Sequence, residues 1–342
     1  MNKILSENLS DSFIKIPKEF ENLEKSYFQE DYEVPNGYSK IDEVSNISYS
    51  LEKIESFDKD FIEPKTFFGK FAFLNTKKIM FIEGKDSKDF GFVKIRSGKG
   101  LSLEPIFIYI PSKIGCCLFL YFDSSIAEMV FNLIRVRVGE KSKLKLYLLF
   151  ENFERKRFVD FSVHLEKEGS IEVFPIFVNG DSSIYRSIHK IDCEKANFKE
   201  SLITVLKKKE KGDFKTIVTE EGEGINVKVE SRSVLKEYSR AFIGGLLKVK
   251  MEAKGSNSCY FGHCLKLSST SKVDIQPNLE IEALDVVASH SASVSPIDEE
   301  KLFYLESRGL SKEKAEKEIS IGFLSSLIEE NGVVHDKIEE VL

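Results

Sequence analysis

The side chain of this sequence that we consider first as a candidate for chemistry is the imidazole of His290. It stands between two serines in the segment DVVASHS, which begins at Asp285. A neutral imidazole is a good ligand for iron and other transition metals, and an exposed one at a subunit contact could complete a shared site. A lone histidine is, however, more often a hydrogen-bonded structural residue. The residue type alone therefore leaves both interpretations open, and the surrounding sequence has to decide between them.

The cysteines do not form a recognisable metal motif. The five of them, Cys116, Cys117, Cys193, Cys259 and Cys264, include no CxxC pair, so neither a zinc site nor a ferredoxin-type cluster motif is visible. On a straight strand Cys259 and His263 would share one face while Cys264 points to the other, which makes a three-ligand site from that segment awkward. We expect reduced, buried thiols that act as small hydrophobes.

Two kinds of enzyme chemistry lack their motifs. No GxxxxGK[ST] loop occurs, because the nearest approach, at Gly98-Lys99, has Val93 where the first glycine should be and Gly100 where the hydroxyl should be. If ATP is used, another subunit hydrolyses it. The acidic stretch 220–223 is predicted to be a solvated turn and not a paired acid/base device.

The bulk properties exclude two classes of partner. The formal charge is −6, and its 50 basic and 56 acidic residues are well mixed, which argues against a nucleic-acid surface. No apolar run reaches the ~18 residues that span a bilayer, and the first residues lack the apolar region of a secretory signal. We therefore expect a soluble, cytoplasmic protein that binds neither nucleic acid nor membrane.

Residues 66–295 have the pattern of β-strands. Short runs in which apolar residues alternate with Lys or Glu follow one another, with Gly and charged residues in the gaps. Examples are Leu144–Leu148, Ile171–Phe174 and Ile225–Val229. The pattern predicts a mainly β core but does not distinguish a sandwich, a barrel and a β-solenoid. Residues 1–65 are polar and interrupted by prolines, and we predict a small mixed or helical segment there, with a short helix within 16–28.

Residues 296–342 are predicted to be helical. Ser295 offers a hydroxyl to cap a first helix, Gly309 suits its left-handed end, and Ser311 can cap a second helix. An apolar stripe then recurs at a spacing of four residues. Its members are Ala315, Ile319, Phe323 and Leu327. We expect this stripe to pack against the end of the β-rich core.

The order of these elements resembles the C-terminal signature of the SufB/SufD family, the non-ATPase subunits of the Suf machine that assembles iron–sulfur clusters. The matching residues are Pro277, Leu279–Ile281, Asp285-Val286, Ser289-His290, Ile297-Asp298, Leu302–Leu305, Ser307–Leu310, Ala315 and Gly322-Phe323. The chain is closer to the SufD type, because His290 lies between serines where the B-type histidine is flanked by glutamates. It departs from the D-type pattern at Ala288, where that pattern often has a cysteine.

The resemblance implies a right-handed parallel β-helix core over 66–295, flanked by the segments 1–65 and 296–342. It implies a non-catalytic scaffold subunit that docks a SufC-like ABC ATPase through its C-terminal region. Pairing with a SufB-like subunit, or with itself, would use strands near 260–294. His290 would handle transient iron or an iron–sulfur cluster at that interface, with no tightly bound cofactor. Two alternatives stay open: a structural β-helix homodimer without metal chemistry, and a β-helix enzyme acting on polysaccharide.

Overall fold

The computed structural model describes residues 40–45, 48–53, 57, 63–74, 76, 78–85, 91–98, 100–125, 127–151, 156–327 and 332–342. The predicted helix within residues 16–28 lies outside this part of the chain. The boundaries predicted at residues 65 and 295 stay predictions, although two strands within the predicted N-terminal segment join the sheets of the core, as described below.

The described residues form 18 strands and four helices. The strands are β1 (Lys40–Ser45), β2 (Ser48–Lys53), β3 (Lys78–Glu83), β4 (Gly91–Arg96), β5 (Gly100–Ile110), β6 (Gly115–Asp123), β7 (Ala127–Val138), β8 (Lys143–Glu151), β9 (Lys156–Leu165), β10 (Ser170–Val178), β11 (Ser182–Ile191), β12 (Asn197–Leu206), β13 (Lys211–Glu220), β14 (Asn226–Leu235), β15 (Arg240–Val249), β16 (Asn257–Lys266), β17 (Lys272–Ile281) and β18 (Val287–Pro296). The helices are α1 (Phe67–Leu74), α2 (Glu299–Ser307), α3 (Lys312–Ser325) and α4 (Gly332–Val341).

The strands build two nine-stranded sheets that lie face to face. Sheet one has the order β1-β4-β6-β8-β10-β12-β14-β16-β18, and sheet two has the order β17-β15-β13-β11-β9-β7-β5-β3-β2. From β3 and β4 onward each strand pairs in parallel with the strand two places later, so the chain visits the sheets alternately, one rung at a time. Only β1 and β2, at the first end, pair antiparallel to their neighbours. This arrangement confirms the predicted β-helix.

The period-two alternation of the strands fills the space between the sheets with apolar side chains. In β8, Leu144, Leu146 and Leu148 point inward and are buried. Aromatic rings also stack from rung to rung: Phe122 lies 4.7 Å from Phe150, which lies 4.6 Å from Phe177. Because these distances match the ~4.8 Å spacing of neighbouring strands, in-register rungs place identical ring types on top of one another.

One row of corners, where the chain passes from sheet two to sheet one, repeats a single backbone conformation. The residues with positive φ there are Lys113, Lys141, Glu168, Lys195, Gly224 and Gly255. Each donates its N–H to a carbonyl in the corner of the next rung, as Glu168 does to Glu194 O at 3.0 Å. These corners therefore form a continuous column of hydrogen bonds along the solenoid. We call this row the corner column.

The helices cover the outer faces of the sheets. Helix α1 packs its buried Ala72 against sheet two beside Leu103 and Phe131. The predicted apolar stripe lies along the outer face of sheet one, where Leu327 is buried in a cluster that includes Tyr147 and Phe174 and where Ile319 and Phe323 pack against that cluster. The expectation that this stripe packs against the end of the core is therefore wrong. The reason is that strands of sheet one carry apolar residues on both faces, so their outer face also needs a cover.

The caps of the C-terminal helices were predicted in part. Ser311 caps α3, where its hydroxyl accepts the N–H of Lys314, and Gly309 follows α2 with φ +95°. The cap of α2 is Asp298, which accepts the N–H groups of Glu300 and Lys301, and not Ser295, which is still part of β18. None of the helices within the described residues is both long and apolar enough to cross a membrane.

Candidate assembly site at the terminal rung

The last rung, β17 and β18, is the open end of the solenoid, and we call it the terminal rung. Both strands are the final members of their sheets. In β15 nearly every residue is buried, whereas in β17 none is, and nine of the ten residues of β18 are exposed. An uncovered strand edge of this length is a template for pairing with another chain, which natural proteins normally cover or block.

The backbone of β18 divides its hydrogen-bonding groups between two edges. Val287 donates its N–H to Ser256 O at 3.0 Å, and Ile297 donates to Lys266 O at 3.2 Å, so the odd-numbered residues bond to β16. Because successive N–H groups of a strand point to opposite edges, the even-numbered residues from 288 to 294 present theirs to the free edge. His290 and Ala292 are therefore central donors and acceptors of this edge.

The free edge of β17 is interrupted by a proline. Lys272 and Glu282 donate to Ser239 O and Val249 O of the preceding rung, at 3.0 and 2.8 Å, so the even-numbered residues bond inward. Pro277 is odd-numbered, and its missing N–H falls on the free edge, where it costs no internal hydrogen bond. A partner strand would thus lack a donor in the middle of β17, which leaves β18 as the more complete edge for pairing.

The side chain of His290 points to the interior side of the solenoid at its open end. His290 is paired in parallel register with Tyr260, which is fully buried in the core. Residues that are paired in register share a face of the sheet, but none of the described strands pairs beyond β18, and His290 is exposed. The outer face holds another histidine, His263, whose Nδ1 lies 2.7 Å from Ser293 Oγ. The two histidines therefore occupy opposite faces.

Within the described part of the chain, His290 belongs to no group of three or more potential metal ligands. Cys259 lies opposite Ser289 on the outer face of sheet one, and Cys264 is buried in the core. The predicted face assignment of Cys259, His263 and Cys264 is thus confirmed. Burial raises the pKa of the Cys264 thiol to about 12 and also raises the pKa of Cys259, so both thiols are protonated at neutral pH.

Exposed apolar side chains lie on the terminal rung and on α2. Val287 and Val294 of β18 are 67% and 48% exposed. Farther along the chain, Phe303 and Tyr304 of α2 are 72% and 55% exposed, and Arg308 stacks over the Tyr304 ring at 5.2 Å. Adjacent exposed aromatic and aliphatic residues of this size are typical of protein–protein contacts. The structure thus has two candidate contact surfaces, one on the terminal rung and one on α2.

The interior contains a polar network that the sequence patterns did not reveal. Glu200 is buried between the sheets and accepts hydrogen bonds from Ser187 at 2.5 Å, from Tyr185 at 3.1 Å and from Thr216. His189 accepts the Val163 N–H on Nδ1, which leaves the proton on Nε2 to donate to Ser187 Oγ. Burial lowers the pKa of His189, so the ring is neutral. The network is buried and links β11 and β13 of sheet two to β12 of sheet one. Polar residues at inward positions of β11, β12 and β13 are the signal that would have located it.

Glu220 corrects one expectation. The stretch 220–223 was predicted to be a solvated turn, but Glu220 ends β13 and is buried. The Ser258 hydroxyl donates to the Glu220 carboxylate, and its oxygen lies 2.7 Å from Oε1 and 2.8 Å from Oε2. Burial raises the pKa of Glu220 to about 7, and the Ser258 hydrogen bond opposes part of that rise. Only the residues that follow Glu220 form the turn.

The fold defines a class of protein: a parallel β-solenoid whose last described rung leaves one strand edge of each sheet unpaired. Comparison with known proteins is more specific. Residues 96–323 match the family model for the SUF system FeS cluster assembly SufBD core domain. The match covers well over half of the chain and includes the terminal rung. The chain belongs to this family, as the sequence resemblance indicated.

Individual relatives agree with that assignment. The chain is 26% identical to the iron–sulfur cluster assembly protein SufD of Escherichia coli over 182 residues, which is 53% of this chain and 43% of that protein. It is 32% identical to SufD of Bacillus subtilis over 34% of this chain and 27% of that protein. It is 40% identical to an iron–sulfur cluster assembly SufBD family protein of Methanothermobacter thermautotrophicus over 33% of this chain and 27% of that protein. The chain therefore matches less than half the length of each of these relatives.

Proposed function

We propose that this chain is a non-catalytic scaffold subunit of a Suf-type iron–sulfur cluster assembly complex. The observation that carries the proposal is the terminal rung, whose free β18 edge has His290 at its centre. A single exposed ligand on a pairing edge is incomplete alone and becomes a site when a partner supplies the other ligands. The partner would be a SufB-like subunit or a second copy of this chain. Iron, or a cluster, would be the cargo of the shared site.

A SufC-like ATPase would dock on the C-terminal helices, and the exposed Phe303 and Tyr304 of α2 support that placement. Contacts connect these helices to the terminal rung. Arg232 of β14 donates to Phe323 O of α3 at 2.6 Å and also contacts Ser326. Arg232 is paired with His263, and His263 with Ser293 of β18. Closure of two ATPase subunits would therefore pull on strands that lead directly to the paired edges and would open His290 to iron.

The test is to express the chain with the SufC-like and SufB-like proteins of the same genome and to weigh the intact complex by native mass spectrometry. We expect a stable assembly that contains the ATPase, and its stoichiometry distinguishes a heterodimer from a homodimer. A chain that stays alone and ignores the ATPase would refute the scaffold function.

The role of His290 is tested separately within that complex. The His290→Ala variant should assemble normally but lose iron loading and cluster formation. His263→Ala is the matched control, since it removes an imidazole from the opposite face of the same sheet, and it should leave both intact. Unimpaired cluster formation in His290→Ala would refute the metal role and favour the second candidate, a structural dimer without metal chemistry. That candidate is supported by the observation that His290 belongs to no group of three or more potential metal ligands in the described part of the chain.

A further inference from the structure

Helix α4 brings together three metal-ligating side chains that the proposed function does not use. His335, Asp336 and Glu339 place one ligand atom each within 4.8 Å of one another. The helix explains the convergence, because Glu339 lies four residues after His335 and three after Asp336, the two spacings that face each other. Val334, Ile338 and Val341 anchor the other side of α4 in the apolar cluster on sheet one, so the helix presents a fixed scaffold.

The two carboxylates of this cluster are not engaged by the cation nearest to them in the sequence. Lys337, the cation of the same helix, is engaged elsewhere: its Nζ lies 2.9 Å from Glu340 and 3.6 Å from Glu151. Among the described residues, no ion pair involves Asp336 or Glu339. One imidazole nitrogen and two carboxylate oxygens that converge in this way form a mixed nitrogen and oxygen donor set of the kind that divalent transition metals bind.

We propose that His335, Asp336 and Glu339 form an exchangeable binding site for a divalent first-row transition metal. The imidazole nitrogen selects zinc, iron, cobalt or nickel over magnesium and calcium, which prefer oxygen ligands alone. Ligand atoms bound to one such ion lie roughly 3 Å apart, given bonds of about 2.1 Å, so the side chains close around it by rotamer changes. Three protein ligands on one side leave the remaining positions open to water or to an incoming ligand. This site is separate from the terminal rung and does not depend on the proposed function.

The test uses the imidazole NMR signals of the full chain, which contains five histidines, during titration with Co²⁺. Paramagnetic broadening should appear first at His335. The Glu339→Gln variant should require about tenfold more Co²⁺ or higher, since even the loss of an outer-shell partner costs 10–100-fold. Glu340→Gln is the matched control, because it removes the same charge from the next residue of the same helix outside the triad, and its effect should be much smaller.

Two results would overturn the proposal. Equal weakening by Glu339→Gln and Glu340→Gln would mean that only the diffuse negative charge of α4 attracts the ion. Broadening of the exposed His290 before His335 would mean that the triad has no advantage over a single imidazole. Circular dichroism of both variants checks that α4 stays folded, since each substitution keeps a good helix former.

Discussion

Replacing Ala292 with proline should weaken pairing at the terminal rung without unfolding the chain. The N–H of Ala292 points to the free edge of β18, so its loss removes no hydrogen bond to β16. Ala292 is paired with Gly262, which has no side chain to obstruct the change. The residue before a proline prefers the extended conformation that it already has in β18. The variant should therefore fold like the parent chain and assemble more weakly.

The magnitude follows from the number of edge bonds. Each hydrogen bond to a pairing strand is worth about 0.5–1.5 kcal/mol. The proline removes one donor, and its ring displaces the partner at the neighbouring bond, so one or two bonds are lost. The dimer should weaken by about 0.5–3 kcal/mol, which is roughly a two- to 150-fold rise in the dissociation constant. Sedimentation equilibrium of the chain with its pairing subunit measures this constant.

The matched control is Ser291→Pro, one residue earlier. Its N–H belongs to the odd-numbered set that bonds to β16, so the same substitution leaves a buried acceptor unpaired and destabilises the fold by about 1–3 kcal/mol. Thermal unfolding separates the two variants: Ser291→Pro should lower the melting temperature and Ala292→Pro should not. A melting temperature lowered equally by both would refute the assignment of edges, and unchanged assembly of Ala292→Pro would refute β18 as the pairing strand.

Two further predictions concern the anchoring of the helices and the buried acid. Arg232→Ala should loosen α3 by about 1–3 kcal/mol, because it removes charged hydrogen bonds to Phe323 O and Ser326, and hydrogen exchange of α3 amides measures this. Lys236→Ala removes an ion pair in which Lys236 Nζ lies 3.5 Å from Glu316, and it should have a smaller effect. If the α3 amides exchange at the same rate in the two variants, Arg232 does not anchor α3. Glu220 has a pKa of about 7 in the folded chain and of 4.5 when unfolded, so the folded state holds its proton to higher pH. The free energy of unfolding should therefore fall by on the order of 3 kcal/mol as pH rises from about 4.5 to 7. Glu220→Gln should abolish this slope in chemical denaturation, and an unchanged pH profile would show that Glu220 is already ionised.

Sequence patterns predicted those features that depend on local periodicity. Alternation identified strands such as β8, and the separation of Cys259 from Cys264 on opposite faces followed from strand geometry alone. The family motif located His290 at the end of the core, and the structure adds that it lies on an unpaired edge.

Features that depend on rungs meeting in space could not be predicted in the same way. The outer face of sheet one is apolar only because residues such as Tyr147 and Phe174, far apart in sequence, stack in neighbouring strands. Glu200 and Glu220 look like solvent-facing acids until the opposite sheet encloses them. Asp298, and not Ser295, caps α2, because β18 continues through Pro296. The length of β18 depends on its pairing with β16, which local sequence preference does not reveal.

The corner column has a consequence for how this protein could change length. Each corner fixes where one rung ends and the next begins, so the segment from Glu168 to the residue before Lys195 is a self-contained module with its own share of the column. Adding or deleting a whole module would keep every remaining residue on its own sheet and face, whereas half a module would exchange the sheets of all that follows. Growth or loss in this fold should therefore occur in complete turns, and the terminal rung would be carried along unchanged at the new end.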